Sequence, residues 1–331
     1  MRRAGGDCDR SDGRALRLRV AAVTLFGAVA AGHAAMADEG GSSFWQPGQY
    51  ASFAALAYPQ GWSLPFTFYS SAGRQRAGRA PGSGETLLAD TSSSFDALYL
   101  SPTYTGAGLI LGAVPGLSMT FGPAYDTASI GGAPDRQSDR MVGVTDLDPQ
   151  VQLNWTFGVH NIMSYLAANI PTGTYDPNRA VGIGIGHAAV DVGGAYTYFN
   201  VAAGIEASAT FGITRNFRNP STGYQNGLDA HLDLGASYYL TPTLFVGIAG
   251  FYYQQLTADH GQALALGPNE SRTRGVGPQI GWDMKLGGRI ISATLRGYTE
   301  FAVYRRPQGH AIYAILSIPL WTPPQGHPPP R

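Results

Sequence analysis

Residues 228–256 read LDAHLDLGASYYLTPTLFVGIAGFYYQQL, and the first half alternates without a slip. Leu228, Ala230, Leu232, Leu234, Ala236, Tyr238 and Leu240 hold one parity. Asp229, His231, Asp233, Gly235, Ser237 and Tyr239 hold the other. Successive side chains on a strand point to opposite faces, so one face is greasy and the other carries two acids and a histidine. Thr241-Pro242-Thr243 turns the chain, and Leu244 to Leu256 returns at similar length. Each arm is about as long as a membrane-spanning strand, roughly 9–11 residues or slightly more. A greasy face of that height on a polar-backed hairpin predicts a wall with lipid on one side and water on the other.

The N-terminus predicts export. Arg2, Arg3, Arg10, Arg14, Arg17 and Arg19 form a basic region ahead of an apolar core, Val20 to Ala31. Ala35-Met36-Ala37 offers the small-x-small pattern of a signal-peptidase site, so 1–37 reads as a signal peptide with Asp38 the first mature residue. The apolar core falls short of the roughly 20 residues a membrane helix needs. The only cysteine, Cys8, lies in this leader, which leaves the mature chain no disulfide, thiolate metal site or cysteine nucleophile. Losing the leader removes six of the 22 basic and three of the 22 acidic residues, leaving 16 against 19. No basic patch calls for nucleic acid.

Gly 45, Tyr 18 and Phe 14, with Lys285 the only lysine, is the composition of a β-rich chain. A sheet in lipid must close on itself, because an open one leaves backbone groups unpaired. The fold expected is therefore all-β, a closed antiparallel transmembrane β-barrel of about twelve strands over 64–320. An N-terminal arm or plug (38–63) precedes it and a Pro-rich tail (321–331) follows. Candidate strands lie near 64–70, 95–104, 117–125, 147–157, 158–170, 188–199, 204–217, 228–240, 244–256, 273–285, 290–304 and 310–320. The links 71–94, 126–146, 171–187, 218–227 and 257–272 are long, and most of those between them are tight turns. Long loops on one side and short turns on the other is the habit of outer-membrane barrels. A secreted β-sandwich would also alternate, but it would not gather aromatics at strand ends. Here Trp155, Phe157, Tyr196, Tyr198, Tyr238, Tyr239, Tyr252 and Tyr253 do so, as side chains at a membrane–water boundary would.

The polar parity then faces the lumen, where His160, Asp191, Glu206, Asp229, His231, Asp233, Asp283, Lys285, Arg296 and Glu300 would form a charge network. Mixed buried charges are expected to pair with one another. Asp229, His231 and Asp233 also invite a metal reading, but the outer two would stand about 13 Å apart, too far for one ion without help from another strand. No metal and no cofactor are expected. Gly182-Ile-Gly-Ile-Gly186 mimics a phosphate loop without a following helix, and reads as a glycine-rich lead-in to a strand. No G-x-S-x-G elbow occurs and nothing looks catalytic, so the chain is read as a non-enzyme.

At several places the chain resembles one family, the SphA-type outer-membrane transporters named for the meta-pathway of phenol degradation. The similar stretches are Gln46-Pro-Gly-Gln-Tyr50-Ala-Ser-Phe53, Gly158-Val-His-Asn161, Ile170-Pro-Thr-Gly173 with Tyr175-Asp-Pro-Asn-Arg179, and Gly184-Ile-Gly-His187 with Asp191. They continue through Phe217-Arg-Asn-Pro220, Tyr224-Gln-Asn-Gly227, Asp229-x-His231-x-Asp233, Tyr253-Gln-Gln-Leu-Thr257, Gly277-Pro-Gln279 and Gly297-Tyr-Thr-Glu-Phe301. The resemblance implies a barrel in the Gram-negative outer membrane that passes hydrophobic or aromatic small molecules, loosely like the long-chain fatty-acid transporters. The family brings no catalytic residues. The partners it implies are outer-membrane lipid, an apolar solute and the barrel-assembly machinery. On this view Asn161, Tyr175, Tyr224, Gln225, Asn226, Tyr253, Gln254 and Gln255 would line the path. The alternative is a structural or adhesive barrel with a sealed lumen. Pro319 is expected to interrupt the last strand, ahead of the tail WTPPQGHPPPR.

Overall fold

The computed structural model describes residues 43–75, 78–79, 86–87, 90–131, 137–261 and 270–321. The leader, most of the tail and Asp38 lie outside these residues. Twelve strands form one closed antiparallel barrel. They are β1 (Gly61–Gln75), β2 (Thr91–Leu100, resumed at Thr103–Thr105), β3 (Val114–Thr120, resumed at Pro123–Ile130) and β4 (Gln137–Val144, resumed at Asp148–Phe157). Then follow β5 (His160–Asn169), β6 (Ala189–Asn200), β7 (Ile205–Asn216), β8 (Leu228–Thr241), β9 (Leu244–Gln255), β10 (Arg272–Leu286), β11 (Arg289–Tyr304) and β12 (Gln308–Trp321). Each expected strand is present. β12 closes on β1 from Trp62↔Trp321 to Arg74↔Gln308, and among the described residues Gln137–Val144 of β4 is laddered on one side only, against β3.

The two faces divide as the alternation of β8 requires. Asp229, His231 and Asp233 are buried inward, whereas Leu234 is 43% exposed and Ile248 on β9 is 55% exposed. Among the described residues no second sheet packs over this outer face. At the turn end, Trp62, Tyr104, Tyr196, Tyr238, Trp282 and Trp321 lie exposed on the outer face, an aromatic girdle of the kind that marks a membrane interface.

The first third departs from expectation for a local reason. β2, β3 and β4 each break at Ser101-Pro102, Phe121-Gly122 and 145–147, and the breaks are bonded to one another. Leu100 N donates to Phe121 O at 2.8 Å and Thr145 N to Gly122 O at 2.8 Å. Pro102 has no N–H for a ladder. Gly122 admits no side chain, since a Cβ there would stand 2.0 Å from Leu98 O. In β4 the break also flips the inward parity: Met141 points in above it, and Asp148, Gln150 and Gln152 line the interior below. The strands also run further than expected, so the link 126–146 shrinks to 131–136. Their outer faces there carry bonded pairs, Ser92–Ser129 and Ser94–Thr127, in place of apolar residues, which hid them. Pro319 does not stop β12. It pairs with Ser63 beside a register shift, and the strand ends on Trp321.

Candidate functional site

The lumen is not left to the strands alone. Residues 43–60, which hold no long secondary structure, run inside the barrel before β1. Their backbone needs partners, since buried N–H and C=O groups are costly unpaired. The wall supplies them. Asp233 accepts from Gly48 N at 2.9 Å and from Tyr50 N at 3.1 Å. Glu206 accepts from Phe53 N at 2.8 Å, and Thr197 from Ala55 N at 3.0 Å. On the far side Arg296 donates to Gln49 O, Tyr298 to Gly48 O at 3.0 Å and Tyr313 to Pro47 O at 2.9 Å. Gly235 lets the arm approach: a Cβ there would stand 2.2 Å from Ser52 N.

Trp45 is 2% exposed and lies flat on His231, ring centroids 3.4 Å apart. His231 Nε2 meets Asp191 at 3.0 Å, and Thr214 donates to the same carboxylate. The aromatic side chains of the arm, Tyr50 and Phe53, pack between the walls. Tyr50 bonds to Gln150, the start of a ladder through Gln152 and Asn154. Burial pushes the Tyr50 hydroxyl up to about 12, so it stays a neutral donor.

The upper mouth is filled by the loop between β5 and β6. Arg179 grips Asp139 with two nitrogens, and Ala180 N and Gly182 N donate to Asp139 and Asp126 at 3.1 and 3.2 Å. Asp146, at the break in β4, accepts from Gly173 N at 2.7 Å and Ile185 N at 2.8 Å. Val181, Ile183 and Ile185 thereby turn inward and are buried. The Gly182–Gly186 stretch is thus a loop folded into the mouth, and β6 begins only at Ala189. Its glycines serve close packing: a Cβ on Gly184 would stand 2.7 Å from the Asp146 carboxylate.

Between arm, loop and wall lies a cavity of about 1140 Å³. Its lining reaches from Asn169, Ile183 and Ile185 on the loop side to Ala202, Gly204 and Pro242 in the turns. Phe53, Tyr58, Tyr99, Phe199, Tyr239, Phe245, Tyr313 and Ile315 give it an apolar, aromatic wall. Asp146, Asp148, Gln150, Gln152 and Arg296 supply a smaller polar side.

The sequence-based residues fall into three groups. Asp191, Glu206, Asp229, His231, Asp233 and Arg296 are buried inside, and Asp283 and Glu300 also face inward. They do not form the expected network of mutual pairs. Among the described residues, His231–Asp191 is the one ion pair between them, and several of the others serve the arm. Lys285 lies exposed at the turn end. His160 is a correction. It lies on the outer face with its ring bonded to Tyr196, because in β5 the inward row is Asn161, Met163, Tyr165 and Ala167, which packs on Trp45.

The eight path residues are also corrected, since none lines the cavity. Tyr224 donates to Asp259, as does Gln255, and Gln225 donates to Asn216 O at 3.0 Å. Tyr175 accepts from Asn219 at 2.8 Å; Asn226 and Tyr253 are buried nearby. These residues tie the loops down. Gln254 has the opposite parity and takes a bond from Tyr252 on the outside, while Asn161 is locked near the turns by Thr156. One part of this lining is legible in the sequence, the inward pair Gln150 and Gln152. The rest depends on where the arm lies.

Residues 70–315 match the family described as "Putative MetA-pathway of phenol degradation". The chain belongs to this family. Among solved structures, the phenol-degradation barrel is similar to the COG4313 outer membrane channel from Pseudomonas putida F1. Identity is 14%, the TM-score is 0.64, and the match covers 83% of this chain and 99% of that one. That likeness concerns the fold: an outer-membrane barrel. A Pseudomonas aeruginosa FadL homologue matches at 9% identity and TM-score 0.41 over 77% and 88% of the two chains, too loosely to carry an inference. No curated protein matches the chain by sequence.

Proposed function

We propose that this barrel is a monomeric outer-membrane passage for small hydrophobic compounds, aromatic ones among them, moving down their own gradient. The observation that carries it is the aromatic cavity beside the arm, whose lining reaches from the loop side to the turns. Its volume suits one small apolar solute at a time, as ligand sites are typically about 300–1,000 Å³. The physical logic is that the polar surface of the membrane bars apolar molecules, and an aromatic lining lowers that barrier. The arm acts as a plug that narrows the lumen, and the loop bearing Ile183 and Ile185 forms the upper constriction. Membership of the phenol-degradation family supports this reading, as does the likeness to a barrel that is itself an outer membrane channel.

The test is uptake of a radiolabelled monoaromatic hydrocarbon by cells with and without the gene, at matched expression of a folded barrel. Faster uptake with the protein is expected; equal rates would refute transport. The competing reading, a sealed structural or adhesive barrel, has one observation in its favour, the buried apolar residues filling the mouth. Normal membrane insertion with no single-channel conductance and no uptake would select it.

A further inference from the structure

We propose that the outer face of β9, β10 and β11, at the loop end, binds the phosphate groups of the phosphorylated glycolipid that makes up the outer leaflet of this membrane. The site is built from arginines laid on tyrosines. Arg274 stands over the Tyr252 ring, 5.1 Å from its centroid, and Arg272 stands 6.0 Å from that of Tyr304. Arg305 stacks on the same Tyr304 ring at 5.2 Å. Tyr252 donates to Gln254, which pairs across the ladder with Arg272, so one polar and cationic surface spans three strands.

Parity puts this surface outside. Val276, Pro278 and Ile280 of β10 face lipid, and Arg272 and Arg274 continue that row upward, opposite the inward Thr273 and Gly275. β11 would by itself turn Tyr304 the other way. A bulge at Ala302, which takes a φ of 50°, sets Phe301 against Arg274 and Tyr304 against Arg272, keeping both rings on the outer face. The bulge therefore serves to complete the cluster.

An arginine at the upper boundary of a lipid-facing wall needs an anion. Among the described residues no carboxylate lies in ion-pair range of Arg272 or Arg274. The Nε atoms of both are shielded from water with no acceptor. The nearby acids are committed elsewhere: Asp259 takes Tyr224 and Gln255, and Glu300 takes Gly309 N inside the barrel. Glu270 precedes β10 and is exposed without pairing to either. The planar guanidinium matches a phosphate with paired N–H donors, and stacking fixes its plane in advance. Cationic clusters at a membrane boundary are a recognised form of lipid headgroup site. At this height, with the loops outward, the anion on offer is the phosphate of the outer-leaflet glycolipid.

The experiment titrates the full-length, detergent-solubilised protein with bis-phosphorylated lipid A and reads bound lipid by native mass spectrometry. Heat-modifiable gel mobility reports that each variant is a folded barrel. Arg272→Gln with Arg274→Gln should weaken binding about 25-fold, at roughly fivefold per arginine near a charged membrane surface. The Arg272→Lys, Arg274→Lys pair should fall between, and Lys285→Gln at the turn end should leave binding unchanged. Dephosphorylated lipid A should bind the unaltered protein as weakly as lipid A binds the double glutamine variant. That arm needs no variant to fold. The proposal is overturned if the dephosphorylated lipid binds equally well, or if the folded glutamine variant stays within twofold. Displacement of lipid A by millimolar inorganic phosphate alone would overturn it too, by assigning the site to the free ion.

Discussion

Replacing Asp233 with alanine should release the arm while leaving the wall standing. The carboxylate accepts from Gly48 N and Tyr50 N, at 2.9 and 3.1 Å, in a fully buried setting. Hydrogen bonds to a charged group contribute about 1.5–3 kcal/mol each, so the two together hold about 3–6 kcal/mol of docking preference. Arg296, Tyr298 and Tyr313 still hold the neighbouring carbonyls, so the net shift lies toward the lower figure. That is still a change of about a hundredfold in the ratio of docked to undocked arm. Cys8 is the one cysteine of the sequence, so with Cys8→Ser in place Ala51→Cys, a buried position on the arm, makes a clean reporter. Maleimide labelling of that thiol in intact outer membranes should be at least tenfold faster in the Asp233→Ala background. Asp283→Asn, in the same lumen but bonded to Tyr239 and Ser292, should leave the rate alone. Equal labelling in all three backgrounds would refute the claim that luminal carboxylates exist to seat the arm.

Gly235→Val should displace the arm by contact alone, since its first carbon already meets Ser52 N; single-channel recordings should show higher conductance with unchanged barrel insertion. Thr67→Trp and Thr294→Trp each place a ring in the cavity and should slow aromatic uptake severalfold without altering heat-modifiable mobility. Leu234→Arg, on the lipid face, should cost about 2–4 kcal/mol in urea unfolding from vesicles if near the midplane. Arginine in place of Lys285, exposed at the turn end, should cost little.

Alternation made the barrel legible. Because side chains on a strand repeat every two residues, the rows in β7, β8 and β9 declared which face met lipid and which was enclosed. Counting such segments put the strand number near twelve, and the alternation of long and short links supported it. The same rule failed where its premise failed. In β2 to β4 the outer face rises past the apolar zone and carries serine and threonine, and the break at 145–147 flips the parity of β4. In β5 both rows carry apolar residues, Ile162 and Leu166 outside and Met163, Tyr165 and Ala167 packed with Trp45 inside, and this sent His160 to the wrong side.

The sequence thus determined the wall: an all-β closed sheet, greasy outside, with acids and a histidine inside. Only the tertiary structure decided what those inner groups do. Asp233, Glu206 and Thr197 lie far from the arm along the chain, yet its N–H groups end there, at separations of 142 to 185 residues. No local period encodes such a meeting. The cavity is what remains once the arm has taken its place, so its lining follows from the packing of distant segments and not from any row of residues.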